Sequence, residues 1–280
     1  MAKIELDMVG TDVEYFVVDG QGKPVPCIGL VGGTKKKPLP LISGREGYMI
    51  QEDNVALEWG IPPAKDRYSF IYHCMRAREA IDEKLKPMGL QTVIASSMRF
   101  DAKQLDHPQA KLLGCEADYD VWERMENPKP DITGENETLR TGAGHVHISF
   151  KVDGEYPHPV RNLGEMEAVV KSCDIYLGLA SVLLDGDKER RKLYGKAGAF
   201  RPKEYGVEYR VLGSFWTKEP WLIEWVFSNV QRAIQLANHP ATTFNTYQEK
   251  IVKAINTSDA ALARALMNQW SVYMPTQQAA

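Results

Sequence analysis

Tyr205-Gly-Val-Glu-Tyr-Arg-Val-Leu212 is the stretch that decides the fold, because it predicts both a strand and the chemistry on that strand. Its β-branched and aromatic residues are typical of strands. Side chains on a strand alternate between its two faces, so Glu208 and Arg210 leave the same face. The sequence therefore predicts a strand that directs one anion and one cation into the same space.

A basic segment from Lys188 to Lys203 precedes this strand, and only Glu189 opposes its charge. Its seven cations surround Gly195 and Gly198: Lys188, Arg190, Arg191, Lys192, Lys196, Arg201 and Lys203. Arginine and lysine bind phosphate oxygens, whereas a carboxylate holds a metal ion. A solvated cationic surface is the ordinary alternative for such a run. The link to the Glu208 and Arg210 strand favours a site for a metal-bound polyphosphate.

The composition excludes several classes of protein. The 280 residues carry a net charge of -3, which gives no general affinity for nucleic acid or acidic membranes. The four cysteines have no metal-binding spacing, so we expect free thiols in a reducing cytoplasm. No signal peptide and no apolar window of membrane-spanning length is present, so we predict a cytoplasmic protein without a membrane partner.

The order of predicted elements indicates an α+β fold, because antiparallel-looking strands alternate irregularly with helices. We expect one domain over residues 1–280, and a mobile solvated loop or a substrate cap at Val31–Pro38. Strands are predicted at 5–18, 90–97 and 143–152, and a strand or hairpin at 48–59. Helices are predicted at 66–87 with Asp66 as N-cap, and at 165–184, 219–238, 246–256 and 259–270, the last with Ser258 as N-cap.

Acidic residues on the early strands are candidate metal ligands. Asp12 and Glu14 are two residues apart and share one face, where a solvated edge and a metal site are both open interpretations. Glu58 lies within an apolar strand, where a buried acid needs a partner. We expect Glu52 and Asn54 to lie on the face of Glu58, with a wet sheet face as the alternative.

Two histidines form a second candidate group in Arg140-Thr-Gly-Ala-Gly-His-Val-His147. The period of two directs His145 and His147 to one strand face, and the glycines before them permit a close approach to the backbone. This arrangement suits a metal ion or a ligand pocket, while two structural histidines are the alternative.

The ordered set of these motifs resembles the phage-type carboxylate-amine ligases (amidoligases, type 2) of the glutamine synthetase and glutamate-cysteine ligase superfamily. The resemblance covers roughly three quarters of the chain. It is carried by Gly10–Glu14, Gln51–Glu58 with Ile61–Pro63, Gly114–Tyr119, Arg140–His147 and Arg190–Trp216.

The resemblance implies a fold like the glutamine synthetase catalytic domain, with a curved, mainly antiparallel sheet and helices on its convex face. It implies ATP and two or more Mg²⁺ ions as cofactors. The implied metal ligands are Asp12, Glu14, Glu58, His145 and Glu208. The implied ATP-binding residues are Arg190, Arg191, Lys196, Arg201, Arg210 and His147, and Arg210 and Arg201 are the implied catalytic cations.

The implied reaction joins a carboxylate to an amine through an acyl phosphate, forming an amide and releasing ADP and phosphate. The acid could be a small molecule, a polymer end or a modified base. The protein itself could also form an oligomer. If a phage encodes the protein, its compartment is the host cytoplasm. Alternatives are a metal-dependent hydrolase, a thiol amidase using Cys115, or a non-catalytic binding protein on the same fold.

Overall fold

The computed structural model describes residues 2–111, 117–239, 244 and 246–275. Within them the strands are β1 (Ile4–Val18), β2 (Pro24–Val25), β3 (Leu39–Pro40), β4 (Met49–Asp53), β5 (Ala56–Gly60), β6 (Gln91–Val93), β7 (Ser97–Arg99), β8 (Tyr119–Asp120), β9 (Met125–Glu126), β10 (Leu139–Thr141), β11 (Gly144–Val152), β12 (Ala199–Lys203) and β13 (Gly206–Tyr209).

The helices of the described chain are α1 (Arg67–Leu85), α2 (Pro108–Lys111), α3 (Leu163–Cys173), α4 (Leu179–Leu184), α5 (Arg190–Leu193), α6 (Pro220–Ala237), α7 (Gln248–Asn256) and α8 (Ala260–Gln269). A π-helical segment, Asp174–Gly178, joins α3 to α4. The predicted helix at 165–184 is therefore confirmed as one continuous helical segment with a π-helical interruption. None of the described helices is long and apolar enough to cross a membrane.

The long strand β1 organises the main sheet. It pairs antiparallel with β5 on one side and β11 on the other, and the sheet continues through β13, β12, β8 and β9. β4 and β3 extend it beyond β5, while β7 and β10 form a separate pair. The predicted α+β class with a mainly antiparallel sheet is therefore confirmed.

One face of this sheet is covered by helices. Val9, Val13 and Tyr15 on β1 are buried in the main hydrophobic core, which α1, α3 and α6 complete. The helix α6 packs against α1, α3 and β1. Because strand side chains alternate, Asp12 and Glu14 lie on the opposite face, away from these helices.

Two local predictions are wrong. The N-cap of α8 is Asp259, whose side chain accepts a hydrogen bond from the Leu262 amide at 3.0 Å, and not Ser258. A carboxylate offers a stronger acceptor than a hydroxyl, and it also suits the positive end of the helix. The predicted cap of α1 by Asp66 is confirmed.

The second error concerns the β4–β5 hairpin. Gln51 pairs with Glu58 and Asp53 pairs with Ala56, so the side chains on the face of Glu58 are Gln51 and Asp53. Glu52 and Asn54 do not share that face. The hairpin has a two-residue turn at Asn54-Val55, and Asn54 has a positive φ of 55°, which sets this register.

Candidate active site

Chemistry-bearing residues converge on the face of the sheet opposite the helices. Asp12 pairs with His145 across β1 and β11, and Glu14 pairs with Glu58 across β1 and β5. Paired residues in an antiparallel ladder share a face. On the next strand along, Glu208 of β13 pairs with His147. The ladder thus brings together residues that are nearly 200 positions apart in sequence.

Asp12, His147 and Glu208 form a first group, here called the histidine group, whose ligand atoms all lie within 4.8 Å of one another. Asp12 Oδ1 lies 3.2 Å from His147 Nε2 and 3.0 Å from His145 Nδ1. Burial alone raises the pKa of Asp12, but the two imidazoles hold it well below its usual range.

Two buried atoms of the histidine group indicate a cation site. Asp12 Oδ1 and His147 Nε2 lie close to each other, but neither makes a hydrogen bond of good geometry within the described chain. His147 Nδ1 bonds to the hydroxyl of Tyr205, which fixes the ring with Nε2 towards Asp12. Octahedral ligands at roughly 2.1 Å from Mg²⁺ lie about 3 Å apart, which matches the Asp12 to His147 separation. The residues present therefore fit a divalent cation.

Glu14, Asp53 and Glu58 form a second group, here called the carboxylate group, with the same close spacing. Burial, followed by the charge of Asp53, raises the pKa of Glu14 to about 8. Burial and the charges of Asp12 and Glu14 raise the pKa of Glu58 well above its usual range. Within the described chain no lysine or arginine lies between these three carboxylates. Such a set of oxygen ligands suits Mg²⁺.

Sequence reasoning missed Asp53, because it assigned the wrong residues to the face of Glu58. The turn at Asn54-Val55 was the available signal. A two-residue turn makes Asp53 and Ala56 the closing pair, and counting back along both strands places Gln51 opposite Glu58. Asp53 then falls on the same face.

Cations surround Glu208. Arg210 donates through Nη1 to Glu208 Oε1, so the predicted convergence of these two side chains is found. Arg201 Nη1 lies 3.3 Å from the same oxygen, and Lys203 Nζ lies 3.0 Å from Glu208 Oε2. Arg210 Nε also reaches Asp118 Oδ2 at 3.0 Å. One carboxylate thus holds three cations at the edge of the histidine group.

Tyr194 is a further residue that the sequence did not single out. Its hydroxyl accepts a hydrogen bond from Arg210 Nη2 and lies 3.2 Å from His145 Nε2. The guanidinium carbons of Arg190 and Arg210 lie 5.2 and 5.3 Å from its ring centre. Nothing in the pattern of the basic segment distinguishes this tyrosine, because its role arises from the strand that faces it.

The basic segment divides into structural and site-facing cations. Arg190 is buried and donates to the carbonyls of Gly142 and Val211 at 2.9 and 2.6 Å. Its guanidinium packs directly against Gly195. A Cβ atom at position 195 would lie only 1.7 Å from Arg190 Nη1, so the contact requires glycine. Arg191 donates to Ser181 Oγ at 2.7 Å, again inside the fold. These contacts hold the segment in place, and neither arginine lines the cleft.

The two groups line one cleft of about 280 Å³. Its walls also contain Arg201, Lys203, Arg210 and Tyr194, with Arg140, Phe16 and Lys35 at the end near the carboxylate group. A neighbouring cavity of about 270 Å³ contains Lys196, Asp118 and Tyr194. A more apolar cavity of about 350 Å³ adjoins Asp12 and His147, and it is lined by Met8, Gly10, Thr11, Ile61, Pro63, Ser149, Tyr156 and Tyr205.

Glu52 binds a loop instead of joining the carboxylate group. Its carboxylate accepts hydrogen bonds from the amides of Gly29, Val31 and Gly32 at 2.9, 3.2 and 2.7 Å. It therefore anchors the start of the Val31–Pro38 loop to β4. Lys35 in this loop is one of the residues that line the cleft.

The cysteines take no described part in the site. Cys27, Cys74 and Cys173 are free thiols and buried, as expected. Cys115 and the rest of the motif at 112–116 lie outside the described residues, so the thiol alternative stays a prediction.

A comparison with protein families identifies the class of this chain. Residues 120–276, more than half of its length, match the family described as phage phiEco32-like COOH.NH2 ligase-type 2. The chain belongs to this family, and the resemblance noted in its motifs is confirmed. No curated protein matches the chain.

Three of the solved structures that match this chain have TM-scores between 0.40 and 0.44. A glutamine synthase homologue has a TM-score of 0.43 and 14% identity, over 94% of this chain and 66% of that one. A bifunctional glutathione synthetase from Pasteurella multocida has a TM-score of 0.44 and 13% identity, over 95% and 47%. A complex of GmaS with ADP has a TM-score of 0.40 and 9% identity, over 95% and 70%. This chain therefore spans less than two thirds of the first two proteins.

Proposed function

We propose that residues 1–280 form a single ligase domain that uses ATP and Mg²⁺ to join a carboxylate to an amine. The observation that carries this proposal is the pair of ligand groups on one sheet face, reached from Asp12 and Glu14 of the same strand. A triphosphate with two bound cations needs two such groups side by side. Membership of the ligase family supports the same conclusion.

The histidine group and the carboxylate group are the proposed holders of the Mg²⁺ ions. When bound, these ions would neutralise the phosphates and polarise the reacting carboxylate. His145 stays a further candidate ligand, since its Nδ1 lies 3.5 Å from Glu208 Oε1. Glu52, Arg190 and Arg191 are left out of the proposed site, because their side chains bind the protein's own backbone or hydroxyl groups.

The apolar cavity that adjoins the histidine group would hold the nucleotide base. Tyr156, Tyr205 and Pro63 give this cavity flat apolar walls, and Asp12 and His147 form its boundary with the cleft. From that position the phosphates would be within reach of both ligand groups, which would hold them through Mg²⁺ ions. Arg210 and Arg201, which contact Glu208, would bind the γ-phosphoryl group.

The cations around Glu208 are suited to phosphoryl transfer. An oxygen of the substrate carboxylate attacks the γ-phosphorus, the bond to the bridging oxygen breaks, and ADP departs. Arg210 and Arg201 stabilise charge on the equatorial oxygens during this step. The amine nitrogen then attacks the acyl carbon, the bond from that carbon to the phosphate oxygen breaks, and the proton lost by the nitrogen goes to the departing phosphate. The cleft side bounded by Tyr194 and Asp118 is open for this second substrate.

Mass spectrometry of condensation products from mixed carboxylates and amines tests the proposal. We expect an amide whose formation requires ATP, Mg²⁺ and both substrates, with matching release of ADP and phosphate. Glu208→Gln should abolish it. Glu204→Gln, an exposed acid between β12 and β13, is the matched control and should retain activity.

Two results would point elsewhere. Hydrolysis of a substrate in the presence of metal but without ATP would favour the hydrolase. Undetectable binding of both ATP and Mg²⁺ would favour a non-catalytic binding protein. The hydrolase explains the two ligand groups, but it gives no task to the three cations that Glu208 holds.

A further inference from the structure

Arg140 is a charged residue in the cleft that the proposed phosphoryl transfer does not use. It lies on β10 and is only 5% exposed. Arg140 lines the cleft together with Glu14 and Asp53. It lies at the end beside the β4–β5 turn, because Arg140 Nη2 and Asn54 Nδ2 both donate to Ala110 O. A buried cation without an anion is costly, so its surroundings need an explanation.

The hydrogen bonds of Arg140 go to backbone carbonyls. Nη1 donates to Glu137 O at 2.9 Å and to Leu139 O at 2.8 Å, and Nη2 donates to Ala110 O at 3.1 Å. A guanidinium has five N–H donors, so two are left, on Nε and Nη2. Nε is buried and has no hydrogen-bond partner in the described chain.

The charge of Arg140 is likewise unbalanced. Burial lowers its pKa, with no acid acting against that effect. Carbonyl oxygens orient the guanidinium but do not neutralise it. The two remaining donors sit on adjacent nitrogens, the arrangement that binds a carboxylate through two parallel hydrogen bonds.

The walls beside Arg140 are apolar. Phe16, Val55 and Ala56 line this end of the cleft, and all three are buried in a small hydrophobic cluster with Phe100. An aliphatic segment fits against them, with one end at the carboxylate group and the other at the guanidinium. A short acid with a second anionic end has this shape and charge.

We propose that Arg140 binds a second carboxylate of the acid substrate, so that the chain selects dicarboxylic acids over monocarboxylic acids. This inference rests on the proposed ligase function for the identity of the reacting carboxylate. Arg140 is then a residue that determines specificity, and it is separate from the cations at Glu208 that face the phosphoryl group.

Calorimetry with glutarate and with pentanoate, a monocarboxylate of the same length, tests this proposal. Titrations are made with Mg²⁺ and the non-hydrolysable analogue AMP-PNP, and again without nucleotide. We expect wild-type protein to bind glutarate at least roughly 10-fold more tightly than pentanoate, because a charge-assisted bidentate pair is lost with pentanoate.

Arg140→Gln should weaken glutarate binding by roughly 10- to 100-fold, and leave pentanoate and AMP-PNP affinities within about twofold. Arg140→Lys should be intermediate, because it keeps the charge without the fork. Arg99→Gln is the matched control. Arg99 lies on the paired strand β7, is exposed, and also donates to a backbone carbonyl.

Equal affinity of wild-type protein for the two acids overturns the inference. A parallel loss of glutarate and AMP-PNP binding in Arg140→Gln, together with a lower Tm, also overturns it, since a purely structural role predicts that result. If Arg140→Gln does not fold, the inference is tested by the preference of wild-type protein for glutarate over pentanoate and by the glutarate affinity of Arg140→Lys. Failure of wild-type protein to bind AMP-PNP counts against the ligase function, while the glutarate preference is read separately.

Discussion

Glu14 and Glu58 face each other across β1 and β5, and burial raises the pKa of both carboxyl groups. Asp53 adds a third acid to the same space. Among the described hydrogen bonds of the Glu14 carboxylate, one compensates part of this charge: the backbone amide of Ala143 donates to Glu14 Oε2 at 2.9 Å. The pair is therefore a local source of instability that a bound cation relieves.

Glu58→Gln should stabilise the metal-free protein. Removing one charge of the pair should raise the free energy of unfolding by at least about 1.4 kcal/mol at pH 8, which corresponds to one pKa unit. Thermal unfolding in EDTA should show a Tm higher by a few degrees. Adding Mg²⁺ should raise the Tm of wild-type protein more than that of the variant, in which only the histidine group is intact.

The sign of the pH dependence follows from the same shifts. The folded pKa of Glu14, about 8, lies above its ordinary value, so the native state holds more protons between these values. The stability of the metal-free protein should thus fall as the pH rises through about 8. Glu46 is an exposed acid, and the control variant Glu46→Gln should show the same pH dependence of stability as wild-type protein. A Mg²⁺-induced Tm shift as large in Glu58→Gln as in wild-type protein would count against the carboxylate group as a metal site.

Tyr194→Phe should reduce kcat and leave nucleotide binding nearly unchanged. The hydroxyl accepts a hydrogen bond from Arg210 and contacts His145, so its loss removes one of the contacts that orient the Arg210 guanidinium towards the transferred phosphoryl group. We expect a roughly 10-fold decrease in kcat, the equivalent of one hydrogen bond to a charged group. The KM for ATP should change by less than about twofold, because the ring and its contact with Arg190 remain.

Steady-state ADP release measures both parameters. Tyr273→Phe, which removes an exposed hydroxyl, is the matched control. An unchanged kcat in Tyr194→Phe would show that the hydroxyl of Tyr194 is not needed to position Arg210.

The sequence was most informative where the strand period decided the geometry. Glu208 and Arg210 are two residues apart, and so are Asp12 and Glu14, so their shared faces follow from alternation alone. The same rule failed for Glu52 and Asp53, because the face of a hairpin partner depends on the turn register as well as on the period. Counting from Asn54-Val55 would have corrected the assignment.

Other features depended on contacts between distant segments. Arg190 and Arg201 belong to one basic segment, yet one supports backbone carbonyls inside the fold and the other contacts Glu208. Charge and spacing are alike for both, so the sequence carries no signal that separates them. Tyr194 likewise acquires its contacts from Arg210 and His145, which other strands supply.

Glu52→Gln should release the loop that starts at Val31. The three amide hydrogen bonds to its carboxylate are charge-assisted, and a neutral amide offers only one weaker acceptor oxygen. Hydrogen exchange followed by mass spectrometry should show faster exchange over residues 29–38, by roughly 10-fold or more. The β4–β5 hairpin should exchange as in wild-type protein.

The neighbouring acid provides the control for this experiment. Asp53→Asn alters the carboxylate group but leaves the loop amides bound to Glu52, so exchange over residues 29–38 should not change. Equal protection in Glu52→Gln and wild-type protein would mean that the Thr34 and Lys37 backbone turn, and not Glu52, holds the loop.

Asp174 provides a pH-dependent contribution to stability behind the sheet. It accepts hydrogen bonds from Trp122 Nε1 at 2.6 Å, Gly198 N at 2.7 Å and Tyr209 OH at 2.8 Å, and thereby joins the π-helical segment to β13. Burial raises its pKa to about 7 despite these donors. The folded pKa exceeds the unfolded value, so its contribution is full at low pH and is lost as the pH rises through about 7.

Asp174→Asn should therefore cost most stability at pH 5 and progressively less towards pH 7. The difference from wild-type protein should narrow by up to about 1.4 kcal/mol per pH unit in this range and level off above it. Urea unfolding at pH 5, 6, 7 and 8 measures the trend, with the exposed Asp106→Asn as the control. A difference that stays constant from pH 5 to pH 8 would mean that Asp174 is ionised throughout and that its three donors outweigh its burial.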